Sequence, residues 1–160
     1  MGIALLTLAL VGTLGFLWTI LVGYQVGATA TVGRHFGVAL ASTFILVMAH
    51  SFIMFFLIAT GVELKDMEKE KGWGDSFRRR TVAMKGKVFG IATLALLLVI
   101  AQFVLGAAAH TRAMPVWIHN VLAWVTWVVC VVTLWREYLV LGENNKLIDE
   151  AARRRREPPA

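Results

Sequence analysis

Residues 116–141 read VWIHNVLAWVTWVVCVVTLWREYLVL. As a helix this stretch is ~39 Å long at 1.5 Å per residue, more than the ~20 residues that cross a bilayer core. His119, Ala123, Thr126, Cys130, Thr133 and Glu137 recur at alternating spacings of four and three, which traces one helix face. The other positions are mostly Val, Leu and Trp. In lipid, polar and small side chains turn toward neighbouring helices, because only protein offers them partners and close approach. One membrane-spanning helix of a bundle is therefore predicted here.

The rest of the chain supplies its neighbours. Further apolar blocks cover about 2–26, 36–62 and 88–109, so the four predicted spans are 2–26, 36–62, 88–109 and 116–141. The first lacks a basic leader, and its apolar run exceeds the ~7–15 residues of a signal peptide, so it is read as a retained span. Polar and small residues again line up: Gly12, Gly15, Thr19 and Gly23; His35, Ala39, Thr43, His50 and Met54; Gln102, Gly106 and His110. Over 160 residues the chain is 58% hydrophobic and 16% charged, with a mean hydropathy of +0.70. That composition excludes a soluble enzyme, a disordered chain and a disulfide-stapled secreted domain. Its one cysteine, Cys130, has no partner for an internal disulfide.

The net charge of +6 is distributed as membrane topology, not as a phosphate groove. Apart from Arg34 and Arg112, every basic residue lies in the 63–87 loop or from Arg136 onward, where acidic residues are mixed in. The positive-inside rule makes that side cytoplasmic, with both termini inside. Tyr24 and Trp117 mark the outer ends of the spans, and Trp73, Trp135 and Tyr138 the inner ends. The expected fold is an all-α, four-helix up-down membrane bundle with a cytoplasmic loop at 63–87 and a charged cytoplasmic tail at 143–160.

Within the loop, Asp66 with Lys69 and Glu68 with Lys71 extend span two as a helix to about Lys71, and Gly72-Trp73-Gly74 breaks it. Asp75 is the expected cap of a short basic helix over 76–80. In the tail, Leu147, Ile148 and Ala151 share one side of an interfacial or partner-docking helix that Pro158-Pro159 ends. All ten carboxylates are read as lying at or beyond the inner boundary, which weighs against proton-coupled transport. No Walker, dinucleotide or nucleophile-elbow pattern occurs.

The four histidines carry the ligand chemistry. His35, His110 and His119 fall near the outer face. His50 falls ~21 Å below Phe36, near the midplane, at a depth similar to Cys130. An imidazole in hydrocarbon costs several kcal/mol unless bonded or coordinated; for His50 the expected hydrogen-bond partners are Thr126, Thr43 or Gln102. Axial imidazoles from facing helices are how bundles hold b-type haem. Arg34 and Arg112 are the outer charges that would meet its propionates.

By helix rise, His50 lies roughly 15 Å too deep to share an iron with His119. The favoured pairs are His35 with His119, or His35 with His110. His50 is then left to a second haem with Met54 or Cys130, or to a quinone head group. A copper or zinc site of His35, His110 and His119, with Met114 as a soft addition, is the other ligand reading.

The arrangement is similar to the cytochrome-b membrane anchors of respiratory dehydrogenases in architecture alone. The function expected is that of a small b-type cytochrome, or of a haem- or quinone-binding anchor in a redox complex of a bacterial inner membrane. Its partners are the bilayer and other subunits, with no nucleic acid. A non-catalytic assembly subunit is the alternative, with the span-one glycines and Arg153 to Arg156 as docking surfaces, the latter for anionic lipid or an acidic partner. A metal-handling protein comes third.

Overall fold

The computed structural model describes residues 1–156, so Pro158-Pro159 lie outside the described residues. The described residues form five helices: α1 (Gly2–Tyr24), α2 (Val32–Lys71), α3 (Ser76–Gly86), α4 (Phe89–His110) and α5 (Val116–Arg156). Four helical stretches, namely α1, α2, α3 continued by α4, and α5, are long and apolar enough to cross a membrane. Large apolar side chains such as Leu14, Phe44, Phe55, Leu97 and Trp117 point outward. The interior mixes buried Leu46, Ile53 and Leu57 with many small and polar residues: Ala9, Thr13, Ser42, Ala49, Ala92, Ala95, Thr126 and Thr133. Such a surface suits acyl chains, and the small interior residues let the helices approach closely.

α1 packs on α2 and α5, α4 packs on the same two helices, and α2 and α5 meet across the middle, while α1 and α4 do not touch. Contacts along α1 and α2 run in opposite order: Gly12 lies on Leu46, Gly15 on Ser42 and Gly23 on His35. Between α2 and α5 they run in the same order, from His35 with His119, through His50 with Glu137, to Thr60 with Asn144. The bundle thus has a hairpin end, where α1 turns into α2 and α4 into α5, and a charged end.

The two hairpins repeat one another. Thr60 and Asn144, which bond to each other at 3.0 Å, are 84 positions apart. The same offset relates the buried residues Ser42 and Thr126, Leu46 and Cys130, Ala49 and Thr133, Ile53 and Glu137, and Leu57 and Leu141. One position fewer relates Ala9 and Ala92, Gly12 and Ala95, Phe16 and Val99, and Thr19 and Gln102. With the contacts among α1, α2, α4 and α5, this is an approximate two-fold relation between halves.

At the charged end α2 runs on to Lys71, as its charge pattern predicts, and stops at Gly72, whose φ of 65° is the left-handed geometry that suits glycine. Three expectations are corrected there. Glu68 does not pair with Lys71 on the surface but is buried, and its carboxylate accepts the backbone N–H of Phe77 and of Arg78. Asp75 makes no capping bond and instead pairs with Arg79 at 3.1 Å. A carboxylate reaching from the preceding helix satisfies the free N–H groups of α3, and its negative charge suits that helix end.

The tail is not a separate interfacial helix either, because α5 continues unbroken to Arg156. Leu147 and Ala151 are buried with Leu64, Phe77 and Met84. Exposed pairs of Arg80 with Glu150 and Lys87 with Glu143 tie the loop to α5, each worth about 0–1 kcal/mol. Glu68→Ala should therefore cost about 1–2 kcal/mol, as lost caps do. Limited proteolysis checks it: cleavage within 72–80 should accelerate while the spans stay protected.

Candidate functional site

A cavity of about 730 Å³ opens at the hairpin end, between all four long helices. Phe16, Phe36 and Phe103 give it apolar walls, Thr19 and Gln102 polar ones, and Arg112 and His110 stand at its mouth. His35 from the first turn of α2 and His119 from the first turn of α5 project into it. Their ring centroids are 6.5 Å apart and their planes nearly perpendicular, at 89°.

Each imidazole is seated on a glycine of its hairpin partner. A Cβ at Gly23 would come within 3.0 Å of His35 Cε1, and one at Gly106 within 3.2 Å of His119 Cε1. Any other residue would displace the rings, so the glycines serve close approach. Gln102 fixes His119: its amide nitrogen is 2.9 Å from Nδ1 and 3.1 Å from the backbone oxygen of the same residue. Thr19 holds the equivalent position beside His35. The site is thus the internal repeat used twice, as Thr19, Gly23 and His35, then Gln102, Gly106 and His119.

No protein-family model, curated protein or solved structure matches this chain. Function is therefore argued from the site.

Two of the histidines singled out from the sequence come together, and two do not join them. His110 is exposed at the mouth. Among the described residues no group of three or more His, Cys, Asp or Glu side chains is placed to hold a metal ion, so His35, His110 and His119 do not assemble as three ligands. Arg112 is at the cavity mouth with a left-handed φ of 60°, whereas Arg34 is exposed and outside the lining.

His50 belongs to a different cluster. It is fully buried, and its Nδ1 lies 2.8 Å from Oε1 of Glu137, which is fully buried too. This corrects one expectation, since the partner is neither Thr126, Thr43 nor Gln102, and it shows that Glu137, read as lying at the inner boundary, is buried inside the bundle. The pair is roughly 22 Å of helix rise from His35 along α2, and ~27 Å from His119 along α5. It therefore sits well toward the charged end of the bundle. Glu137 was readable from its place on the His119–Glu137 face; its neighbours Arg136 and Tyr138 made it look interfacial.

Proposed function

We propose that the chain is a small membrane cytochrome, or the haem-binding anchor of a redox complex. It would hold one b-type haem between His35 and His119 in an up-down bundle with both termini cytoplasmic. The observation that carries the reading is the spacing of the two rings. Metal–imidazole bonds of about 2 Å on either side of one metal, with the ring radii added, bring the centroids to roughly 6–6.5 Å. The measured 6.5 Å fits, and the cavity falls within the range of cofactor pockets, about 300–1,000 Å³.

The surrounding residues suit that occupant. Aromatic walls favour a flat apolar macrocycle, and Arg112 at the mouth offers a charge for its carboxylates. Gln102 Oε1 is buried without a partner. Its Nε2 lies against both Nδ1 and the backbone oxygen of His119, which holds that ring in position. A bound haem supplies a one-electron centre near the outer face. The chain's own work is to fix two imidazoles, exclude water and keep the charge-bearing edge at the mouth.

The test is a reduced-minus-oxidised spectrum of the full chain purified in detergent after expression with haem supply. A sharp α-band of b type supports the reading. A colourless protein overturns it and favours a non-catalytic packing subunit. Gly106→Val should lower haem occupancy several-fold without unfolding the bundle, since the added side chain fills the space of the His119 ring; haem per protein by absorbance checks it. For orientation, a reporter fused to the C-terminus should read cytoplasmic, because the loop and tail carry nearly all the basic residues.

A further inference from the structure

The His50–Glu137 pair has no task in the cavity just described, and the scaffold does not need it. The repeat relates His50 to Leu134 and Glu137 to Ile53. Each half thus fills with an apolar residue the position where the other half has an ionisable one. Buried ion pairs are commonly replaceable by apolar residues of similar volume at no loss of stability. A pair kept at positions where the same fold elsewhere uses Leu and Ile calls for a role other than packing.

The geometry leaves that role open on one side of the pair. His50 Nε2 and Glu137 Oε2 are sealed from solvent and have no partner, while Nδ1 and Oε1 hold each other at 2.8 Å. Toward the charged end, two helical turns along the same face of α5, Asn144 Nδ2 is also buried and unpartnered, beside its bond to Thr60. About 10 Å of helix rise separates that atom from the pair, with Leu57 and Leu141 buried between them. Toward the cavity Leu46, Val99 and Cys130 are fully buried, together with Thr133 and with Thr126, whose Oγ1 has no partner either.

We propose that His50 and Glu137 form a proton-binding site within the membrane, with His50 Nε2 and Glu137 Oε2 as its open positions. Protonation at Nε2 turns imidazole–carboxylate, of net charge −1, into imidazolium–carboxylate, of net charge zero. The proton comes from water and returns to it.

The neighbouring elements supply few competitors. In α1 the one titratable side chain is Tyr24, at the hairpin end, and in α4 it is His110, also there. On α5 the buried Cys130 shares the face of Glu137, and Arg136 is exposed. On α2 the next charged residue is Glu63, also exposed, and α3 contributes Arg78, Arg79, Arg80 and Lys85 beyond Leu57 and Leu64.

The test is acid–base infrared difference spectroscopy of the full chain in liposomes between pH 5 and 9, in H₂O and D₂O. Wild type should show imidazole and carboxylate bands titrating together, with one proton per chain. Glu137→Gln should reduce them to background. Because that variant leaves His50 unpaired and risks misfolding, the double variant His50→Leu, Glu137→Ile is the second arm: it carries the repeat's own residues, should be folded, and should lack the pair's bands, read as wild type minus variant so that the other histidines and carboxylates cancel. Identical difference spectra in wild type and double variant, or no titrating band in wild type, would overturn the proposal. The readout makes no use of the cavity, so a colourless protein would sink the haem reading and leave this test intact.

Discussion

Replacing His119 by alanine should leave a folded protein that has lost its haem band, and His35→Ala should do the same to the same extent. The two imidazoles are equivalent by the internal repeat, each seated on a glycine of its hairpin partner, and neither has a substitute within the cavity. Loss of a residue that merely orients a metal ligand typically costs 10–100-fold in affinity. Loss of an axial ligand itself should exceed that, so haem content after detergent purification should fall by more than about tenfold. His110→Ala and the double variant His50→Leu, Glu137→Ile serve as controls and should keep their haem, because His110 is exposed at the mouth and the His50–Glu137 pair is sealed away from the cavity. Full haem content in both His35→Ala and His119→Ala would exclude this cavity as the binding site. Loss in His110→Ala alone would move the ligand to the mouth.

What the sequence reveals and what it hides follow from the physics of each level. The spans are legible because hydrocarbon imposes a length and a composition on every crossing helix, and the inward face of α5 is legible because four-three spacing is the period of the helix. Those two facts suffice to place His35 level with His119 and His50 out of reach of both, since a rigid helix converts residue number into depth.

Partner choice at the charged end is not legible in the same way. Glu68 and Glu137 both sit among exposed charges, and only their register with Leu64 and Thr133 marks them as inward-facing. The competing interfacial reading rested on neighbours along the chain; the structure follows the helix face. Glu68 also displaced the local candidate, Asp75, as the partner of α3, because two free N–H groups aligned on one carboxylate outweigh a single short-range cap. The repeat escapes a reading of residue types because its equivalent positions share size and burial more than identity: Gly12 with Ala95, Phe16 with Val99, Leu46 with Cys130.

The largest effect on stability is expected at the pair that breaks this repeat. Glu137→Ala removes one member of a fully buried hydrogen-bonded pair and leaves His50 Nδ1 without a partner. Stranding one partner in this way typically costs about 3–5 kcal/mol. His50→Ala should cost a similar amount, since it leaves the carboxylate equally alone and opens a cavity as well. Removing both groups at once with His50→Leu and Glu137→Ile should cost far less than the sum, and a gain of about 1–4 kcal/mol lies within the precedent for apolar replacement of buried pairs.

A double-mutant cycle by denaturant unfolding in detergent reads the difference as a coupling free energy. Strong coupling means that each group is tolerated in the interior only because the other is present. That is the behaviour of a site inserted into an apolar seam, because a seam that depended on the pair for packing would not recover when both are replaced. If the single and double replacements add within about 0.5 kcal/mol, the two side chains do not depend on each other. The contact at 2.8 Å would then be incidental to how either group is accommodated in the bundle.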